Sequence, residues 1–533
     1  MNPYLSFSRS SSPWTEELVY SNHVSIGTHK LGMFISGHPT HPDKPNMPNE
    51  LIIFFSGAGD VHQSWGPVRK VIEVWNRWSE TNTQIDPRIL LYDRSGLGES
   101  ERGPNRLTAT NAASELLTAL RITGLLAHHK SLILVAHSYG AIVAREFLHL
   151  LESEPSSLSP PSSPFSTSAK DEPPIPTIKL EAHEDHPIIQ IPNVPKPACP
   201  ANPTKSSPTE DRLIKEEDIP EWSSSTSQPQ DPSKSSSPDN SNQRAKIKAL
   251  VLVDPSTEHQ HLYFPHPNPD ITALLGNLNF ARVTGLRENA LNSNHMTKED
   301  WRARAIALST PSSLAASVEE VSNYVEVCTT LAEKRQLERH VLGDRPLVIL
   351  QAESWKEYEG IYAAGVEAGN GTVQERQRFR ELLDSWKEND RKLKDELLGL
   401  TTHYRAADLN IKTDPAGSTV EPIRVVVYEG DEGGRLHVDT GWDTQVTNQQ
   451  SEPGWGSKTC KLVTVKNCGH NIQLIRPELV VWEIVWALTI VRREQEETDA
   501  CVESKQERKR KRTRSNEHDA TKDGTEVTKK ASL

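Results

Sequence analysis

The chain is short of apolar residues, of paired cysteines and of long hydrophobic runs, and each shortage removes a class of protein. Hydrophobic residues make up 35% of 533 and the mean hydropathy is −0.59, so part of the chain is expected not to fold. Cys199, Cys328, Cys460, Cys468 and Cys501 are odd in number and form no CxxC pair. Neither a zinc cluster nor a disulfide framework is indicated, and a reducing compartment fits. The longest apolar stretch, residues 479–491, contains Glu483 and falls short of the roughly 20 residues of a membrane-spanning helix. Residues 1–18 hold no apolar run like that of a secretory signal. Basic residues are not in excess: 60 Lys and Arg stand against 72 Asp and Glu, a net charge of −12, which speaks against a chain-wide nucleic-acid surface. A soluble intracellular protein is expected, in the cytoplasm, with the nucleus as a second candidate compartment.

Proline and serine are concentrated. Residues 151–240 hold 18 of each, out of 37 prolines in the chain. Such a segment cannot bury enough apolar surface to offset the entropy of ordering it. Residues 153–245 therefore read as a disordered insertion, and the polar stretch 498–533 as a disordered basic tail. What remains alternates between strands and helices. Runs of strand length occur at 51–55, 89–93, 132–137, 247–254, 346–351, 423–429 and 461–467. Continuous Val, Ile and Leu runs suit a sheet covered on both faces. Helical periodicity lies between several of them, at 65–78, 111–126, 141–151 and 477–491. The fold class is α/β, with a mostly parallel sheet. The core is divided into 1–152, 246–267 and 341–497, with a helical cap over 268–340.

The sharpest local signal is LILVAHSYGAIVAREFLHLL, residues 132–151. A buried strand runs into Ala136-His137-Ser138-Tyr139-Gly140 and then into an amphipathic helix. Small residues are needed there because strand and helix approach closely. Gly140 meets that need, and Ala136 stands where glycine is more usual. An ordinary strand–turn–helix with a capping serine would share this pattern. Three further segments add weight. Ser56-Gly57-Ala58-Gly59-Asp60 follows the first core strand and can aim backbone N–H groups at a developing oxyanion. YDRSGLGESERGP (92–104) follows the second. Near the end, His470 stands beside Gly469, just after a strand and just before a helix.

In this order the pieces FFSGAGD, YDRSGLGES, VAHSYGAI, LVLVDPS and NCGHNIQLIRPE resemble the α/β-hydrolase fold superfamily of serine esterases, lipases and peptidases. The resemblance covers about 20–150 and 246–495. It implies Ser138 as nucleophile, His470 as general base, and the N–H groups of Ala58 and Tyr139 as oxyanion hole. For the acid, three positions remain open: Asp254 after the strand 247–254, Glu353 after 346–351, and Asp431 after 423–429. Asp254 is favoured, because several branches of the fold place the acid after that earlier strand. Haloalkane dehalogenases and related epoxide hydrolases use an aspartate nucleophile at the elbow, where this chain has Ser138. The expected function is a cofactor-free serine hydrolase acting on a small-molecule ester, thioester or small amide through an acyl-enzyme. An acyltransferase with the same triad, or a catalytically silent scaffold of this fold, is the alternative.

Weaker patterns point elsewhere. His183-Glu184-Asp185-His186 lacks the HExxH spacing, and no metal site is expected. The run 505–514 carries seven Lys or Arg and one Glu, a candidate signal for a nuclear-import receptor or a solvated tail. Ile178-Lys179-Leu180-Glu181 and Ile214-Lys215-Glu216-Glu217 resemble short sumoylation patterns.

Overall fold

A computed structural model describes residues 20–37, 50–78, 87–153, 245–402, 423–429, 436–439 and 459–530. These residues belong to one unit, built from chain on both sides of 155–241. The expected disordered insertion, the His183–His186 cluster and Asp431 lie outside the described residues.

All seven expected strands form, and among the described residues three more join them in one sheet. In chain order they are β1 (Tyr20–Ser25), β2 (Lys30–Ser36), β3 (Glu50–Phe55), β4 (Arg88–Tyr92), β5 (Ser131–His137), β6 (Lys246–Val253), β7 (Leu347–Gln351), β8 (Ile423–Glu429), β9 (Leu436–Asp439) and β10 (Cys460–Val465). The sheet order is β1-β2-β4-β3-β5-β6-β7-β10-β8-β9. From β4 to β8 every neighbouring pair is parallel, and antiparallel strands close both edges.

The continuous apolar runs have the reason anticipated: each central strand is buried on both faces. One face packs against the helices Ala109–Ile122 and Gly140–Ser153. The other meets Gly66–Trp78 and the first turns of the helix that begins at Pro477. That helix explains the charge in the apolar stretch 479–491. Glu483 is buried, and Lys461 Nζ on β10 donates to its Oε1 at 2.7 Å.

Two stretches differ from expectation. The helix from Pro477 continues to Lys530, where a tail without structure was expected from 498. From Arg493 to Arg512 its side chains are exposed, and i,i+4 pairs such as Lys511–Glu507, 2.7 Å apart, suit a solvated helix. Among the described residues no helix is long and apolar enough to cross a membrane. The cap is also larger than 268–340. Its six helices between Pro269 and Glu333 are joined by Trp355–Glu367 and Val373–Glu396, which follow β7. Leu274 packs with Ile361, Phe379 and Leu383 in a core of their own.

Candidate active site

Parallel strands carry their C-terminal ends to one edge of the sheet, and loops there are where ligands meet an open α/β sheet. The loops after β3, β5, β6 and β10 hold Ala58, Ser138 with Tyr139, Asp254 and His470. Among the described residues, three of the six non-glycine residues with positive φ stand there: Ser138 (φ 52°), Asp254 (φ 38°) and Asn467 (φ 53°). Side chains in that region cost energy and cluster at functional sites.

Ser138 is the single residue between the end of β5 and Tyr139-Gly140. Its N–H donates to Val253 O at 3.2 Å, and its carbonyl accepts from Ser256 N–H at 3.0 Å. The elbow is thus tied to the two sides of Asp254. Gly140 permits the turn: a Cβ there would lie 2.4 Å from Phe55 O and 2.6 Å from Ser56 O, both backbone atoms. Gly140→Ala should therefore destabilise the protein by about 1–3 kcal/mol, since overpacked backbone cannot relax as a side chain can. A thermal melt checks this, and an unchanged Tm would contradict the close approach.

Asp254 is 1% exposed. Its Oδ2 lies 2.6 Å from His470 Nδ1, its Oδ1 accepts the Ala352 N–H at 3.1 Å, and Lys394 Nζ stands 3.8 Å from Oδ1. Burial alone would raise this carboxyl. The Lys394 charge and the His470 bond outweigh it and hold the group below the usual carboxylate range. The ionised acid accepts the Nδ1 proton, which leaves the lone pair of His470 on Nε2. The His470 side chain is 32% exposed. Burial pulls its pKa down, but the bond and charge of Asp254, with Glu357 beside it, raise it overall. No hydrogen bond joins Ser138 to His470 among the described residues.

Ala58 is half-buried on the loop after β3, and Tyr139 is buried at the start of the elbow helix. Among the described residues neither backbone N–H finds an acceptor. Gly57 brings the loop onto the elbow: a Cβ there would lie 3.3 Å from Ser138 Cβ. Glu353 is not brought to His470. Its carboxylate meets Lys356 at 2.5 Å, Lys466 at 3.2 Å and the Asn467 N–H at 2.9 Å. No group of three His, Cys, Asp or Glu that could hold a metal occurs among the described residues.

Sequence reasoning passed over four neighbours. His137 Nε2 lies 3.0 Å from His470 O, so that nitrogen carries the proton; Nδ1 receives Gln473 Nε2 at 3.2 Å. Burial, then the nearby His470, push its pKa down to about 3, so it stays neutral and serves as a brace. Its place directly before Ser138 was the available signal. Glu357 stands against Gly469, where a Cβ would fall 2.0 Å from its Oε1. Burial pushes that carboxyl up to about 7 against the pull of His470. Lys394 Nζ also lies 3.1 Å from Asp390. Nothing local marks Glu357, Lys394 or Asp390 in the sequence.

The sequence matches the family model described as "Alpha/beta hydrolase family" over residues 52–483. The chain belongs to the alpha/beta hydrolase family. Solved structures to which the chain is similar include Cfl2 from Burkholderia cenocepacia, at 11% identity over 88% of this chain and 95% of that one, TM-score 0.40. A putative epoxide hydrolase from Pseudomonas aeruginosa is 11% identical over 90% of this chain and 99% of that one, TM-score 0.38. E-2-(acetamidomethylene)succinate hydrolase is 10% identical over 88% and 99%, TM-score 0.37. By sequence the chain is 29% identical over 141 residues to the probable transporter efuK of Hormonema carpetanum, covering 26% of this chain and 18% of that protein.

Proposed function

We propose that this alpha/beta hydrolase is a serine hydrolase that cleaves a carboxylic ester, thioester or small amide through an acyl-enzyme. Ser138 Oγ attacks the acyl carbon while His470 Nε2 takes its proton. The carbonyl oxygen, now negative, meets the Ala58 and Tyr139 N–H groups. His470 then gives the proton to the leaving group, and the acyl-enzyme remains on Ser138. Water enters, loses its proton to Nε2 and releases the acid. Asp254 holds the imidazole tautomer and stabilises the imidazolium.

The observation that carries this reading is the 2.6 Å contact between His470 Nδ1 and the buried Asp254, beside a serine at φ 52°. A panel of p-nitrophenyl esters of increasing chain length, run on wild type and Ser138→Ala together, tests it. Wild type should turn over at least one chain length and the variant none. Equal rates for the two proteins at every length would count against the reading.

A further inference from the structure

The loop after β3 is held by more than the core. Arg94, in the segment after β4, is 3% exposed and directs its guanidinium at this loop. Its Nη1 donates to Ser56 O at 2.7 Å and its Nη2 to Gly57 O at 2.6 Å. The same group is gripped from the cap. Glu320, 2% exposed on the helix Pro311–Ser322, accepts from Arg94 Nε at 2.6 Å and from Nη2 at 2.9 Å. Its Oε2 also accepts the Gly59 N–H at 2.7 Å. One carboxylate thus binds the loop directly and through the arginine, from opposite sides of Ala58.

Two further contacts fit. Gly59 lies at φ 62° against the cap, where a Cβ would stand 2.1 Å from Ser317 Oγ. Arg94 Cζ lies 5.4 Å from the centroid of the Tyr139 ring. The guanidinium therefore touches the residues that carry both N–H groups assigned to the oxyanion, or their immediate neighbours. A charged pair this buried is costly to desolvate, and its bidentate geometry fixes direction more than it adds stability.

We propose that Glu320 and Arg94 form a clasp through which the seated cap sets the loop Ser56–Gly59, making Glu320 a positioning residue for the oxyanion hole. The proposal rests on the serine-hydrolase reading. The cap then not only shelters the substrate but completes the donor geometry from across the active-site edge.

The test uses the full chain with Arg94→Met/Glu320→Met, which removes both charges and leaves neither buried unpaired, a change often neutral for stability. Three quantities are read: Tm, amide hydrogen exchange over 56–60, and the rate at which a fluorophosphonate labels Ser138. The expected result is a folded protein with a modestly lowered Tm, since Ser56 O, Gly57 O and the Gly59 N–H lose their partners, with faster exchange over 56–60 and labelling slower by about 10²–10³-fold, the loss that follows removal of one oxyanion donor. Glu320→Gln runs beside it and also covers the case in which the double variant does not fold. Its single amide oxygen can still accept from Gly59, so a smaller loss is expected. Exchange and labelling unchanged in either folded variant would overturn the clasp. Wild type that takes no label at all would instead break the serine-hydrolase reading, and the exchange data would still decide whether the clasp holds the loop.

Discussion

Ser138→Ala should lower ester turnover by a factor on the order of 10⁶, the size of the loss when a serine protease loses its nucleophile. The expectation is that large because the site holds no substitute. Ser56, the nearest hydroxyl in the loop after β3, is buried and donates to Val61 O at 3.3 Å. Cys328 is fully buried, and burial pushes its thiol up to about 12, far from the thiolate that would attack. His470→Ala should be nearly as damaging, since a serine without an adjacent base is a weak nucleophile. The two changes together should cost little more than either alone, because nucleophile and base act as a unit. Steady-state rates on purified variants check this, with thermal melts to show that each still folds. A Ser138→Ala protein with even a tenth of wild-type activity would contradict it.

Asp254→Asn should reduce turnover by about 10²–10⁴-fold, up to the loss seen when a protease triad acid becomes an amide. The amide keeps the size of the carboxylate and can still accept the Ala352 N–H. Its NH₂ would face His470 Nδ1, which moves the ring proton to Nε2, the nitrogen that must take the serine proton. Lys394 keeps Asp390 and the Pro255 carbonyl as partners, so the fold should survive. The change also has a pH signature. As the proposed base, His470 would work only when neutral, and its pKa is raised chiefly because Asp254 outweighs burial. The acidic limb of kcat/KM in wild type should therefore lie above the ordinary imidazole value of about 6.5. In Asp254→Asn that limb should move to lower pH, since the favoured positive form has lost its partner. A limb at the same pH in both proteins would place the acid elsewhere.

Much of this arrangement was legible in the sequence, for physical reasons that also mark where legibility ended. A strand buried on both faces must be apolar throughout, so β3, β5, β6 and β7 stood out. The edge strands need not be. β1 is YSNHVS and β2 is KLGMFIS, broken by a glycine, and neither carries the signal of a central strand. The turn at Ser138 was readable because steric demands act within five residues, and Gly140 shows the demand as a 2.4 Å approach. The order of motifs put Asp254 and His470 in loops at the C-terminal ends of β6 and β10, which flank β7 in the sheet. Groups that meet through the tertiary fold left no trace of their pairing: Arg94 and Glu320 are 226 residues apart, and Glu357 reaches Gly469 from within the stretch 341–497 assigned to the core. The helices Trp355–Glu367 and Val373–Glu396 were missed as cap because a helix shows its period, not which partner it will pack on.

The most direct measurement is covalent labelling of the purified protein by a fluorophosphonate, followed by mass spectrometry of its peptides. One adduct, on the peptide that holds Ser138, is the predicted result. It should be absent from Ser138→Ala and formed far more slowly in His470→Ala. A wild-type protein that is folded and takes no label, or takes it equally after Ser138→Ala, would contradict the account.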